Sequence, residues 1–152
     1  MHYSGQCHCG TVSASFETAK TPQALGVRTC QCDFCRRHGS VNISDADGLI
    51  TIQGRAEDIV RYRFGLLTAD FLICRNCGVY VAAVMGRGDR IVSTLNVVGL
   101  RMSAFLDIAE APADYDAETT EARIARRYDK WTPTRFADAQ LAASDFGPHQ
   151  PS

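Results

Sequence analysis

The sequence predicts a mainly β domain, stabilised by zinc and carrying one C-terminal helix. Three observations predict it. Apolar and polar residues alternate along several short stretches, the period of half-buried strands. Seven cysteines fall into three tight clusters. A single stretch near the C-terminal end changes to the helical period.

Residues 11–16, Thr-Val-Ser-Ala-Ser-Phe, alternate without a fault. Leu25, Val27 and Thr29 lead as a strand into the middle cysteine cluster. Residues 49–53 give the next strand, and Val60, Tyr62 and Phe64, separated by Arg61 and Arg63, another. Residues 71–73 enter the last cysteine cluster and residues 79–85 leave it, so the order there is strand, metal turn, strand. Residues 90–95 and 104–108 are the last strands expected. Turn signals separate these segments at Asp47-Gly48, Gln53-Gly54, Gly65 and Gly86-Arg87-Gly88-Asp89. A helix is predicted over residues 117–131, where Ile124, Tyr128 and Trp131 form one apolar stripe. Glu118 and Glu121 lie early in it and Arg126, Arg127 and Lys130 late, matching the helix macrodipole. Pro133 marks its end, and its arginine-rich side reads as a solvated face. Residues 144–152 hold two prolines, a glycine and little to bury, which predicts disorder. The expected division is a zinc-binding domain over residues 1–135 and a flexible tail over residues 136–152.

Composition narrows the function classes. The chain has 152 residues, 45% of them hydrophobic and 22% charged, with a formal net charge of −1. One core is feasible at this length. Near-neutral charge argues against a nucleic-acid partner and against anchoring to an anionic membrane. The longest apolar run, residues 79–85, falls far short of the ~20 residues that span a bilayer. The first residues lack a basic segment followed by an apolar one, so the expected location is the cytoplasm.

The cysteines carry the strongest signal. Cys7 and Cys9 form C-x-C; Cys30, Cys32 and Cys35 form C-x-C-x-x-C; Cys74 and Cys77 form C-x-x-C. An odd number cannot all pair as disulfides within one chain, whereas such short spacings let sulfurs converge on one ion. Zinc takes four thiolates in a closed structural site. The two pairs together supply four ligands, and the triplet supplies a second site with one position open. An iron–sulfur cluster is the alternative, but the spacing is not a ferredoxin one. Gly10 and Gly78 each follow a cluster, where a positive φ would turn an N–H toward a thiolate.

Three ordered motifs, Gly5-Gln6-Cys7-His8-Cys9-Gly10, Cys30-Gln31-Cys32-Asp33-Phe34-Cys35-Arg36-Arg37 and Phe71-Leu72-Ile73-Cys74-Arg75-Asn76-Cys77-Gly78, resemble the glutathione-dependent formaldehyde-activating enzyme family, which includes centromere protein V. The resemblance covers roughly the first hundred residues. It implies a β-tent type of fold with two zinc ions. It puts the structural zinc on Cys7, Cys9, Cys74 and Cys77, and the catalytic zinc on Cys30, Cys32 and Cys35. The family's reaction joins glutathione to formaldehyde as S-hydroxymethylglutathione, a carbon–sulfur lyase activity. Beyond Leu100 the likeness thins, and no glutathione-binding residue is carried over.

Zinc on three thiolates is already anionic, hence a weak Lewis acid for hydrolysis but a good holder of a fourth, soft ligand such as a substrate thiol. Arg36 and Arg37 follow the last ligand and would offset that charge, bind an acidic substrate such as a glutathione carboxylate, or lie in a solvated turn. His38 would close the second site if it ligated. His8 is expected to face solvent, and Asp33 and Asn76 to satisfy turn backbone. The leading expectation is a zinc-dependent carbon–sulfur lyase acting on a glutathione-like thiol plus a small aldehyde, or on their adduct. A zinc-stabilised binding module without turnover is the alternative. The identity of the thiol and the oligomeric state stay open.

Overall fold

The computed structural model describes residues 1–149. An N-terminal hairpin pairs β1 (His2–Gln6) with β2 (Ser13–Glu17). One helical turn, α1 (Pro22–Leu25), capped by the Thr21 hydroxyl, leads into β3 (Val27–Cys30), α2 (Asp33–His38) and the short β4 (Asn42–Ile43). There follow β5 (Leu49–Gln53), β6 (Ile59–Tyr62), β7 (Asp70–Cys74), β8 (Tyr80–Met85) and β9 (Val92–Asn96). The last elements are β10 (Glu110–Ala113), α3 (Thr120–Lys130), β11 (Thr132–Phe136) and α4 (Ala139–Ala142).

The strands form two sheets that share β11. Three of its residues run parallel to β5, which continues through β2 to β1. Its first two residues pair antiparallel with β9. From β9 the second sheet extends through β4 and β3 to β10 on one side, and through β8 and β7 to β6 on the other. The inward faces of both sheets, with Phe16, Ile50 and Ile52 from one and Leu72, Val84 and Leu95 from the other, build the main core. A second apolar cluster lies on the far face of β7, β8 and β9. There Phe71, Tyr80, Ala83, Met85 and Val92 meet Trp131, with Ile124 and Tyr128 of α3 packed against them. Strand β8 therefore contributes to two cores, and every one of its residues is buried. That is why residues 79–85 are uniformly apolar rather than alternating.

The chain is mainly β with one long helix near its C-terminal end, as its periodicities predict. Some details differ. Residues 104–108 form no strand: a 3-10 turn over Ser103–Phe105 inserts Phe105, whose ring meets Tyr3 edge-on at 4.9 Å, while Leu106 stays exposed. One anchor residue in a turn produced the look of an alternating strand. Leu25 ends α1 rather than starting β3, because Pro22 at the first helical position and the Thr21 cap favour a helical turn.

The expected loose tail from residue 136 does not describe residues 136–149. Phe136 and Phe146 stack at 4.9 Å, Phe146 and Leu141 are fully buried, and Gly86 exchanges backbone hydrogen bonds with Phe146 and Gly147. Low overall hydrophobicity concealed two well-placed apolar side chains. The remainder of that expected tail, residues 150–152, lies outside the described residues.

Candidate metal centres and a cationic cavity

Each cysteine pair sits in a tight knuckle, and the two knuckles are built alike. The Cys7 N–H bonds the Val12 carbonyl and the Gly10 N–H the Cys7 carbonyl; Cys74, Val79 and Gly78 repeat the pattern. Gly10 and Gly78 have φ of 82° and 79°, a conformation that only glycine adopts cheaply. The expectation that their N–H groups turn toward a thiolate does not hold: they close the turn onto carbonyl oxygen. The sulfurs take their donors from further along: Val12 N–H reaches Cys7 Sγ at 3.3 Å. The β1–β2 knuckle and the β7–β8 knuckle face each other, with Cys9 Sγ 3.7 Å from Cys7 Sγ and 3.6 Å from Cys74 Sγ. All four sulfurs of Cys7, Cys9, Cys74 and Cys77 lie within 4.8 Å of one another, close enough to bind one ion.

The thiols of this cluster are not driven alike: burial pushes Cys74 up to about 12, whereas Cys9 goes the other way. Hydrogen bonds, first from the Thr11 hydroxyl and then from the Asn76 side chain, bring the Cys9 thiol down to about 5. Asn76, read from sequence as a turn residue, thus also stabilises a ligand. His8 is exposed between its two neighbours.

The second cluster is assembled by the β3–α2 junction. Cys30 ends the strand, Cys32 is the N-cap of α2 and Cys35 sits one turn inside it, so the three sulfurs converge within 4.8 Å. The Cys35 N–H donates to Cys32 Sγ at 3.4 Å. Thiols of Cys30 and Cys35, together with the helix N–H groups, lower the Cys32 thiol to about 2, whereas Cys30 and Cys35 are pushed up as its donors. A triad that already concentrates negative charge on one sulfur fits a metal cation.

No fourth protein donor joins this triad among the described residues. His38 is exposed at the far end of α2, its ring 4.4 Å from that of Phe34. Arg36 and Arg37 are also exposed, and Arg37 pairs with Asp33 at 2.8 Å across one helical turn. They lie on the exposed side of α2 and neither lines the cavity between the triad and α3, although Arg36 borders a surface pocket with Cys30 and Cys35. Phe34 instead pins α2 to the second core, with ring contacts of 4.9–5.0 Å to Phe64, Phe71 and Tyr80.

Cys30, Cys32 and Cys35 line a cavity of about 100 Å3 whose opposite wall comes from α3 and the loop before it. Tyr80, fully buried beside the thiols, keeps its phenol proton because burial first, and then the negative cysteines, push its ionisation well above the usual value. Facing the cavity are four guanidiniums, of Arg28, Arg123, Arg126 and Arg127. The arginine-rich side of the helix is therefore not a solvated face. The sequence held a signal for this. Arg127 lies three residues after Ile124 and four before Trp131, on the apolar stripe itself, and Arg123 is four before Arg127. Arg28 gave no comparable signal, since an arginine in a strand reads as an outward-facing residue.

A family model described as glutathione-dependent formaldehyde-activating enzyme matches residues 2–104, which contain all seven cysteines and the whole of both knuckles. Among solved structures, a crystal structure of a Rhodobacter sphaeroides protein is similar at 27% identity, with a TM-score of 0.48 over 71% of this chain and 99% of that one. Two thiol clusters of the right size to bind metal, one closed by four sulfurs and one left with three, fall within the matched two-thirds of the sequence, and the chain belongs to the glutathione-dependent formaldehyde-activating enzyme family.

Proposed function

We propose that the chain is a zinc-dependent carbon–sulfur lyase that joins a thiol to a small aldehyde or releases both from their adduct. One observation carries the reading: three convergent thiols, with no fourth protein donor among the described residues, open onto a cavity. Cys7, Cys9, Cys74 and Cys77 hold a structural zinc in this reading, and Cys30, Cys32 and Cys35 a catalytic one. The sulfur donor set fits zinc in both cases. Bound by the triad, zinc would supply an open position that takes a soft sulfur and keeps it as thiolate.

The remaining work falls to the chain itself. The substrate sulfur uses a lone pair to form the C–S bond with the carbonyl carbon. The C=O π pair moves to oxygen, which takes up a proton to replace the one lost by the thiol. No redox partner is required. Tyr80 contributes a neutral phenol to the cavity wall, and Phe64, Phe71 and Trp131 exclude water from it. The neighbouring guanidiniums offset the negative charge that accumulates as a fourth sulfur joins three thiolates.

The test is NMR exchange spectroscopy on formaldehyde, a thiol and their adduct, with the uncatalysed rate subtracted because thiols add to formaldehyde unaided. Acceleration by the zinc-loaded protein supports the lyase. Absence of acceleration with glutathione and with every other thiol tried overturns it.

A further inference from the structure

Four arginines face the cavity, but they are not equally engaged. Arg126 holds Glu118 through Nε at 2.7 Å and Nη2 at 3.0 Å, and lies 3.6 Å over the Tyr115 ring. Arg123 reaches Glu118 at 3.3 Å and the Tyr115 carbonyl at 2.7 Å. Both are committed to fixing the loop that precedes α3. Among the described residues Arg127 and Arg28 have no carboxylate partner, although Arg127 lies 4.6 Å over the Trp131 ring.

Arg127 is 8% exposed, and its Nη1 donates to the Thr68 hydroxyl at 2.6 Å. Its Nε is buried without any hydrogen-bond partner among the described residues. Burial, then the nearby Arg126 and Arg123 charges, pull its ionisation down to about 10. It is still cationic at neutral pH. Arg28 is half-buried, and its Nη2 donates to the Ser44 hydroxyl at 2.8 Å and reaches the Thr94 hydroxyl at 3.5 Å. Among the described residues neither guanidinium forms a salt bridge or hydrogen-bonds a cysteine sulfur. Asp116, the acid in the cavity wall, is exposed and bridges neither. One buried and one half-buried cation with donors to spare are costly unless something in the cavity supplies acceptor oxygens.

The cavity also limits what that something is. About 100 Å3 is well under the ~300–1,000 Å3 of sites that take drug-sized ligands. The soft triad shares one side with Arg28, two residues before Cys30 on β3, and Arg127 comes from α3 opposite, so one small molecule would meet both sulfur and guanidinium groups.

We propose that Arg127 and Arg28 select the thiol substrate, by binding a carboxylate or sulfonate on a short mercapto acid whose sulfur faces Cys30, Cys32 and Cys35. This rests on the lyase reading for the sulfur, and adds the acidic group and the size. Arg127 of α3, its partner Thr68 between β6 and β7, and Arg28 of β3 come from separate parts of the chain, so the acid site exists only in the folded cavity. Arg127 also lies beyond residues 2–104, which makes it a feature of this chain rather than of the matched segment.

The experiment uses full-length protein loaded with Co2+ in place of zinc, titrated with 3-mercaptopropionate, 2-mercaptoethanesulfonate, 2-mercaptoethanol and glutathione. Binding is read by sulfur-to-cobalt charge-transfer absorption and by calorimetry. Both acidic short thiols are expected to bind at least about tenfold tighter than 2-mercaptoethanol, as charge-assisted hydrogen bonds would give. They are also expected to bind tighter than glutathione. Arg127→Met and Arg28→Gln should each shrink the preference for the acids, and Arg127→Lys should retain part of it. Equal binding of acidic and neutral thiols by the wild-type protein overturns the proposal, and this comparison needs no variant to fold. Tighter binding of glutathione overturns the size. A cobalt spectrum unmoved by every thiol overturns the lyase reading itself, and this proposal with it.

Discussion

Asp70 shows how much one side chain can organise. Its carboxylate is wholly buried and takes Arg61 Nε at 2.7 Å, Arg63 Nε at 2.8 Å and His149 Nε2 at 2.6 Å. Arg61 in turn bonds the Asp145 carbonyl and lies 4.4 Å over the Phe146 ring, so the C-terminal segment is fastened to β6 and β7 through one acid. Removing a buried partner leaves the other charges stranded, at a cost of ~3–5 kcal/mol. The arginines here retain some solvent, which trims it. Asp70→Ala is expected to lose about 2–4 kcal/mol in denaturant midpoint analysis. Arg63→Ala should lose less than about 1 kcal/mol, because Arg63 is 44% exposed and Asp70 keeps two partners. Equal losses for the two variants would mean that Asp70 is not the hub. Nothing in the sequence marked this residue. Arg61 and Arg63 read as the polar positions of an alternating strand, and the acid that pairs them only becomes visible once β6 lies against β7 in register.

At the scale of elements, the legible features were those set by local period or local spacing. Strand β5 was expected at residues 49–53 and occupies Leu49–Gln53, since turns on both sides bound a clean alternation. The β3–α2 junction was legible as a ligand cluster because C-x-C-x-x-C holds its three sulfurs together whatever surrounds it. Strands β10 and β11 were not legible. β10 pairs with β3 in parallel, and β11 divides its partners between two sheets, so long-range pairing rather than any pattern of its own defines each. The self-contained geometry of the triad also predicts how it fails. Its ligands lie within one short junction, and the ring contacts of Phe34 hold α2 in place independently of metal. Cys32→Ser is therefore expected to give a folded protein with about one zinc fewer and no thiol-dependent activity, checked by metal content, melting temperature and the NMR exchange assay. Full activity in that variant would move the reaction away from the triad.

The whole molecule depends on contacts that close large loops. Two such closures hold it: the C-terminal segment returning to Gly86 and Asp70, and the two cysteine knuckles meeting across the chain. Phe146 has no exposed surface, so Phe146→Ala should cost about 3–5 kcal/mol, the usual price of emptying a buried aromatic position, and a shift under 1 kcal/mol in denaturant unfolding would show that the segment is dispensable. The knuckles join more distant parts. Cys7 and Cys9 follow β1, at the end of one sheet, while Cys74 ends β7 and Cys77 follows it in the turn to β8 in the other, and no strand pairs β1 or β2 with either. Four sulfurs around one ion would thus be a direct clasp between the sheets. Structural zinc contributes roughly 10–16 kcal/mol in small peptides, as much as the whole net stability of a domain. Without the ion, four sulfurs within 4.8 Å of one another would have nothing to hold them together at the place where the sheets must meet. Cys74→Ser is accordingly expected to be insoluble or poorly folded, and chelation of the wild-type protein to lower its melting temperature well before the triad's zinc loss affects the fold. A soluble Cys74→Ser protein with an unchanged melting temperature would show that apolar packing between the sheets suffices and that the four-sulfur cluster is not their clasp.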